Sequence, residues 1–215
     1  MKDRFRPLRS RASSGSRQPN GAAITPKPNR RNRMQSFPVL AIDTAPEKSK
    51  PALQALQGEF GMIPNVAGTM ATSPVLIDSL VALFGKVHGG NFSEAQIQVL
   101  LLTNAVTNGC AWAVAFHTGL ALKEGLDKAD VEAIRARRVP REAKSAALST
   151  FARTLIEKRG HVDDRDVDAF VATGFRKEHA LEVIAVVAAS IVTNYTASVT
   201  KPPLEEPFKA HSWSA

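Results

Sequence analysis

The chain has 215 residues, of which 44% are hydrophobic and 22% are charged, and this suits one domain with a proper apolar core. Its single cysteine excludes an internal disulfide framework, so the composition does not point to secretion. The longest apolar run, residues 183–192, is well short of the ~20 residues that a membrane-spanning helix needs. We therefore expect a soluble, cytoplasmic protein without a membrane partner.

The net charge of +8 is concentrated in the first 36 residues. They contain ten Lys or Arg residues and one acidic residue, whereas residues 37–215 contain 18 basic and 19 acidic residues. Because residues 1–36 are also poor in apolar side chains, we expect a disordered basic tail followed by one domain over 37–215. Three interpretations of the tail stay open: an arm for nucleic acid or an anionic surface, a targeting peptide, or translation that begins at Met34. Nucleic-acid binding is not expected of the folded domain.

The sequence after the tail carries helix signals almost throughout. Residues 37–45 are expected to form an extended arm that could lie across a neighbouring subunit, and Pro64-Asn65 marks a turn. Apolar periodicity, capping residues and Gly or Pro stops predict helices from Pro46 to Phe60, Ser73 to Gly89, Ser93 to Thr107, Cys110 to Gly125, Asp127 onward, Pro140 to Gly160, Asp163 or Asp164 to Gly174, and Lys177 to Pro202. No segment alternates with a period of two, so the predicted fold class is all-α.

The two halves of the domain show a faint internal similarity. Residues 74–117 and 141–200 share the order of helix, glycine break, short capped turn and long apolar helix. Superposing them places Glu182 opposite Gln98 and Asn194 opposite Cys110. This order is typical of a duplicated helical hairpin, but helical bundles also produce it by chance, and both explanations stay open.

The stretch from Ser93 to Gly119 holds the residues of greatest chemical interest. Ser93 and Gln96 form a capping-box pattern at the start of one helix, and Asn108 is a good cap for the next. Cys110 would then lie in the first turn of this second helix, where the helix dipole and the unpaired N–H groups stabilise a thiolate. A free cysteine on an apolar helix is also a common small core residue.

The spacing of Gln98, Cys110, Ala113 and His117 resembles that of the alkyl hydroperoxidase D-like proteins of the carboxymuconolactone decarboxylase superfamily, in its peroxidase-related branch. Those proteins carry the pattern E-x11-C-x-x-C-x-x-x-H. Further likeness is found in GMIPN (61–65), Ser73-Pro74, RGHVDD (159–164) and NYTASVTKPPLEEPF (194–208), so that it spans roughly residues 37–208. The resemblance implies an AhpD-like helical bundle that assembles as a homo-oligomer.

The resemblance also implies a chemistry in which two cysteines one turn apart reduce a hydroperoxide while Glu and His relay protons. This chain departs from that pattern at two positions. Ala113 stands at the attacking cysteine, and Gln98 keeps the size of glutamate but cannot take a proton. Cys110 and His117 are seven residues apart, or ~10.5 Å along a helix, so sulfur and imidazole should not touch directly. A dithiol cycle within one subunit is therefore not expected.

Three functional interpretations follow. In the first, Cys110 is a single-cysteine peroxidase or redox sensor that an external thiol reduces, with His117 as acid or base and Gln98 at the relay position. In the second, His117 acts as acid or base on a lactone or carboxylate, as in the decarboxylases of the superfamily. In the third, the protein is a helical oligomer that lost the chemistry and binds a small apolar ligand. Trp112, Ala113 and Phe116 are expected to line the pocket.

Neither a cofactor nor a metal site is predicted. The remaining histidines are scattered along the chain and have neither the spacing of metal ligands nor acidic companions: His88, His161, His179 and His211. The candidate chemistry is therefore confined to residues 98–117.

Overall fold

The computed structural model describes residues 37–214, in which nine α-helices follow one another without a strand. The helices are α1 Lys50–Phe60, α2 Asn65–Met70, α3 Pro74–His88, α4 Glu94–Thr107, α5 Ala111–Lys123, α6 Lys128–Arg135, α7 Ala143–Glu157, α8 Asp164–Ala172 and α9 Lys177–Thr200, with 3-10 turns at Glu47–Ser49 and Glu206–His211. The all-α fold class is confirmed for these residues. The expected basic tail, residues 1–36, lies outside them, and the domain division stays a prediction.

Helix α4 lies at the centre of the bundle, in contact with α5, α6, α7 and α9. Its residues from Ile97 to Val106 are all buried, so the helix packs against neighbours on every side. The predicted capping box is present. The backbone N–H of Ser93 donates to Gln96 Oε1 (3.0 Å), and the backbone N–H of Gln96 donates to Ser93 Oγ (3.3 Å). This cap fixes where α4 begins and thereby where Gln98 lies.

The segment after Pro64 differs from the sequence expectation, because it forms the short helix α2 rather than a turn alone. The first backbone N–H of this helix, at Asn65, donates to the carboxylate of Glu205. The Asn65 side chain also donates to the carbonyl oxygen of Pro203 (2.9 Å). The groups that stabilise α2 therefore lie 138 and 140 residues further along the chain, outside any local pattern.

Helix α7 begins at Ala143 and not at the predicted Pro140. The reason is the buried carboxylate of Asp130, which accepts the backbone N–H groups of Arg141 (2.8 Å) and Glu142 (3.2 Å) and holds them out of the helix. Glu142 then caps α7 through its own side chain.

Residues 37–45 lie against α2 of their own chain. The backbone N–H of Leu40 donates to the carbonyl oxygen of Gly68 (3.0 Å). The approach is so close that a Cβ at Gly68 would lie 2.6 Å from Cγ1 of Val39. No neighbouring subunit is needed to hold this segment in place.

Helix α9 is long and apolar enough, by length and composition alone, to span a membrane. Within the described bundle it packs against α2, α3, α4, α5, α7 and α8, and 44% of its most apolar window is buried there. These contacts are those of a core helix in a helical bundle.

The predicted similarity between the two halves is only partly visible in the order of helices. Helix α4 follows α3 directly, whereas α8 is inserted between α7 and α9. The duplication therefore stays a prediction.

The C-terminal segment is fastened against α5 and α6. The Arg135 guanidinium donates to the carbonyl oxygen of His211 (3.0 Å), and Trp213 Nε1 donates to the carbonyl oxygen of Arg135 (3.1 Å). The ring of Phe208 lies directly on α5, where a Cβ at Gly119 would come within 2.7 Å of it. This segment therefore supports the outer face of α5.

Candidate functional site

A sharp turn at residues 107–110 brings α5 back along α4. Gly109 has a φ of 65°, a left-handed conformation that favours glycine, and the backbone N–H of Cys110 donates to the carbonyl oxygen of Ala105 (2.9 Å). The two helices then pack against each other. As a result, Gln98 on α4 meets His117 on α5.

Cys110 is the N-cap residue of α5, one position before the predicted first turn, and its side chain is 3% exposed. Burial raises the pKa of the Cys110 thiol, while the nearby backbone N–H of Ala113, the Ser198 hydroxyl and the backbone N–H of Trp112 offset only part of this effect. The thiol makes no side-chain capping hydrogen bond. The expected stabilisation of a thiolate by the helix start is therefore overridden by the loss of hydration.

His117 and Gln98 form a buried pair, and each residue is 4% exposed. The distance from His117 Nδ1 to Gln98 Oε1 is 3.1 Å. Because an amide oxygen can only accept, Nδ1 carries the hydrogen and Nε2 keeps its lone pair. Burial, assisted by the charge that His88 can carry, lowers the pKa of His117 from 6.5 to about 3. The imidazole is therefore neutral at physiological pH.

A small cavity of about 50 Å³ lies beside this pair. Its polar lining consists of His88, Gln98, His117 and Thr193, and its apolar wall includes Leu56, Phe60, Phe84, Leu101, Trp112 and Phe116. Neither Cys110 nor Ala113 contributes to the lining. The structure thus brings four of the six predicted site residues to one cavity, namely Gln98, Trp112, Phe116 and His117, and leaves Cys110 and Ala113 outside it.

The aromatic wall of the cavity contains an unused hydrogen-bond donor. The Trp112 ring stacks on Phe116 with 4.9 Å between ring centroids, and Phe208 supports Phe116 from behind at 4.6 Å. The buried Nε1–H of Trp112 has no partner among the described residues. A buried donor without a partner is costly to the folded state.

Among the polar residues of this cavity, the sequence analysis missed Thr193 and, more importantly for its chemistry, His88. Its Nδ1 lies 3.0 and 2.8 Å from the two carboxylate oxygens of Glu94. The two residues are six positions apart, across a glycine turn that joins α3 to α4. That spacing matches no helical or strand period, and only the folded turn brings the pair together.

No group of three or more His, Cys, Asp or Glu side chains that could hold a metal ion occurs in residues 37–214. The polar residues of the cavity include only two histidines, and one of them is committed to Gln98.

Comparison with known proteins finds one family similarity. The sequence profile of the Carboxymuconolactone decarboxylase family matches residues 76–155, which run from α3 to α7 and include Gln98, Cys110 and His117. This part of the chain is therefore similar to that family. No curated protein sequence matches the chain.

Solved structures share the fold of this chain at low sequence identity. The alkylhydroperoxidase AhpD core of an uncharacterized peroxidase-related protein from Ralstonia eutropha JMP134 is 18% identical, with a TM-score of 0.71 over 80% of this chain and 93% of that chain. The debrominase Bmp8 C82A, in complex with 2,3,4-tribromopyrrole, is 17% identical, with a TM-score of 0.69 over 84% and 96%. An uncharacterized peroxidase-related protein from Silicibacter sp. TM1040 is 17% identical, with a TM-score of 0.68 over 83% and 96%.

Proposed function

We propose that this AhpD-like protein binds a small, uncharged molecule with a hydroxyl or N–H group in the His117 cavity, and that Cys110 is not its reactive centre. The observation that carries the proposal is the neutral His117–Gln98 pair, buried beside a cavity that Cys110 does not reach. We place the protein in the cytoplasm, as a helical oligomer that has lost the dithiol chemistry of its relatives.

The charge of the cavity limits what it can bind. No Lys, Arg, Asp or Glu lines it, and the low pKa of His117, about 3, keeps that imidazole uncharged. Burying a carboxylate there would cost several kcal/mol without a compensating positive charge. This disfavours the alternative in which His117 acts on a carboxylate substrate.

The hydrogen-bonding groups of the cavity indicate the ligand's polar group. His117 Nε2 keeps a lone pair and can accept a hydrogen from a ligand. A hydroxyl or N–H group on the ligand can donate that hydrogen. A cavity of about 50 Å³ has room for a few waters or for a ligand of a few heavy atoms, since about 10–15 Å³ of such volume holds one water.

We expect tert-butanol to shift the indole N–H resonance of Trp112 in an NMR titration, because its hydroxyl would donate to His117 Nε2 in the cavity that the Trp112 ring lines. The chain has only two tryptophans, and the indole of Trp213 is already bonded to the carbonyl oxygen of Arg135, so its resonance is a built-in control. The matched ligand is tert-butyl methyl ether, which cannot donate to His117. The proposal would be contradicted if the alcohol and the ether shifted the Trp112 indole resonance equally, or if only the Trp213 resonance shifted.

The single-cysteine peroxidase is the alternative that the superfamily suggests. It requires a reactive thiol and an external thiol reductant, whereas the raised pKa and the 3% exposure of Cys110 both disfavour a thiolate. We expect wild type and Cys110→Ser to consume tert-butyl hydroperoxide at the same background rate with dithiothreitol as reductant. A rate that disappears only in Cys110→Ser would restore Cys110 as the reactive centre.

We also propose that the partner of this protein is a second copy of the chain, bound along α9. Four large apolar side chains of the described domain protrude from this helix: Leu181 (69% exposed), Ile184 (47%), Tyr195 (58%) and Val199 (67%). With the exposed Ala188 and the partly exposed Ile191 they follow the 3-4 spacing of a helix-pairing seam.

The seam suits pairing with itself. An antiparallel copy related by a two-fold axis at Ala188 would bring Leu181 near Tyr195 of the partner subunit, with the small alanine at the crossing point. An apolar groove of about 1140 Å³ beside the seam, between α7, α8 and α9, provides further room for the partner helix. Contiguous exposed apolar surface of this kind marks an interface.

We expect the wild-type protein to be a dimer, or a larger oligomer built from such dimers. The variant Ile184→Glu should be a monomer, because the interface would have to bury its charge at the seam. Light scattering coupled to gel filtration measures the mass. Val75→Glu on α3 is the matched control, since Val75 is 79% exposed and lies outside the seam. A monomeric wild type, or equal dissociation of both variants, would overturn this interface.

A further inference from the structure

A second histidine pair borders the cavity, and it differs chemically from the first. His88 lines the cavity together with His117, and its Nδ1 is held by the carboxylate of Glu94 at 2.8 Å. The side chains of His88 and Glu94 are 29% and 47% exposed, so the pair lies at the cavity mouth in contact with solvent. His117, in contrast, is buried and bonded to an amide.

The turn between α3 and α4 fixes this pair. His88 is the last residue of α3 and Glu94 is the first of α4. The intervening loop is held by Glu182 of α9, whose carboxylate accepts the backbone N–H of Asn91 (3.0 Å) and also its side-chain amide. The loop comes so close to α9 that a Cβ at Gly90 would lie 3.3 Å from Glu182 Oε2. His88 is therefore held at the cavity mouth by contacts from three helices.

The two pairs differ as hydrogen-bond acceptors. Glu94 accepts the hydrogen on Nδ1 of His88, so Nε2 is the nitrogen left free for a ligand. Because Glu94 is a carboxylate, its hydrogen bond to Nδ1 is charge-assisted and strengthens Nε2 as an acceptor. Gln98 offers His117 no such charge, and the deep position of His117 disfavours any positive charge.

We propose that His88, oriented by Glu94, is the stronger of the two histidine acceptors of the cavity, and that it selects among small uncharged ligands by the acidity of their O–H or N–H group. The ligand donates this hydrogen to Nε2 of His88 in a hydrogen bond, and no covalent bond forms or breaks. This inference rests on the ligand class proposed above and assigns the group that discriminates among its members.

The test is a set of alcohols of similar size and rising acidity: ethanol, 2-fluoroethanol and 2,2,2-trifluoroethanol. Binding is followed through the Trp112 indole resonance at about pH 8, above the ordinary titration range of histidine. We expect wild type to bind trifluoroethanol at least about tenfold more tightly than ethanol, the factor that a stronger, charge-assisted hydrogen bond provides. His88→Gln should bind all three with similar affinity, whereas His161→Gln, at an exposed histidine outside the cavity, should behave as wild type.

Glu94 acts through His88 and needs a separate readout. In ¹⁵N-histidine NMR spectra, we expect the His88 signals of wild type to show the Nδ1–H form and those of Glu94→Gln to show a mixture of both tautomers. In Glu94→Gln, the affinity should also depend less on the acidity of the alcohol than it does in wild type. Thermal unfolding of each variant confirms that it remains folded.

The outcomes separate the two proposals. Alcohols that bind wild type without dependence on acidity, or a dependence that survives His88→Gln, would overturn the role of His88 alone. Failure of every alcohol to bind would overturn the ligand class and, with it, this inference.

Discussion

The double variant Gln98→Glu/Ala113→Cys is expected to consume tert-butyl hydroperoxide at least about a hundredfold faster than wild type, with dithiothreitol as reductant. The two substitutions restore the two groups in which this chain departs from the resembling peroxidases. General acid–base catalysis by a positioned pair contributes ~10²- to 10⁴-fold, and wild type lacks both the titratable relay and the second thiol.

The positions of the helices make this gain feasible. Residues 113 and 117 are four apart on α5, so a cysteine at 113 would be a neighbour of His117. A carboxylate at 98 would replace the amide oxygen that now lies 3.1 Å from His117 Nδ1 and would raise the pKa of the imidazole. Cys110, one turn before residue 113, would then serve as the resolving thiol.

The single variants are the controls for this prediction. Ala113→Cys alone should form a disulfide with Cys110 on oxidation but turn over slowly, and Gln98→Glu alone should remain at background. A double variant that folds, forms the disulfide and still shows no turnover would contradict the view that these two changes account for the lost chemistry.

The stability of the wild-type protein is expected to fall steeply on acidification, and His117 should account for much of the fall. The folded protein keeps this imidazole neutral down to about pH 3, whereas the unfolded chain protonates it near pH 6.5. Between these values the unfolded state binds more protons, so the free energy of unfolding decreases as the pH decreases. The difference between the pKa of His117 in the unfolded chain and in the folded protein is worth ~1.4 kcal/mol per pKa unit. The free energy of unfolding should therefore be roughly 5 kcal/mol lower at about pH 3 than at pH 7.

The matched comparison is His117→Gln, which can still bond to Gln98 but does not titrate. Urea unfolding from pH 7 to about pH 3.5 should give a shallower loss of stability for this variant than for wild type. The carboxyl groups of Asp127, Glu142, Asp166 and Glu178, whose pKa values are lowered, titrate in both proteins and cancel in the difference. Parallel curves for the two proteins would mean that His117 is not buried as a neutral base.

Much of the fold follows from local signals. The capping box at Ser93, the Ser73 cap and the Asp127 cap each form as the sequence predicts, because every partner lies within three residues. Helix α2 depends instead on Glu205, which lies 140 residues after the helix start. The start of α7 depends on Asp130, which lies 11 and 12 residues before the backbone N–H groups that it accepts. No period in the sequence contains that information.

The candidate site divides in the same way. The family resemblance implies that Gln98 and His117 occupy the two relay positions, and the structure places His117 Nδ1 3.1 Å from Gln98 Oε1. The pKa of the Cys110 thiol depends partly on the Ser198 hydroxyl of α9, and the role of His88 depends on a glycine turn held by Glu182. Both depend on α9, which packs over the α3–α4–α5 core, and neither could be predicted from residues 93–119 alone.

The claim on which this account depends most is that the His117–Gln98 pair, at the relay positions of the resembling peroxidases, is uncharged. Direct NMR titration of the His117 ring in wild type measures this charge. We predict that its ring signals stay constant from pH 8 to about pH 4, consistent with a pKa of about 3. A titration of His117 near pH 6.5 would show a charged relay and would contradict the proposed cavity chemistry.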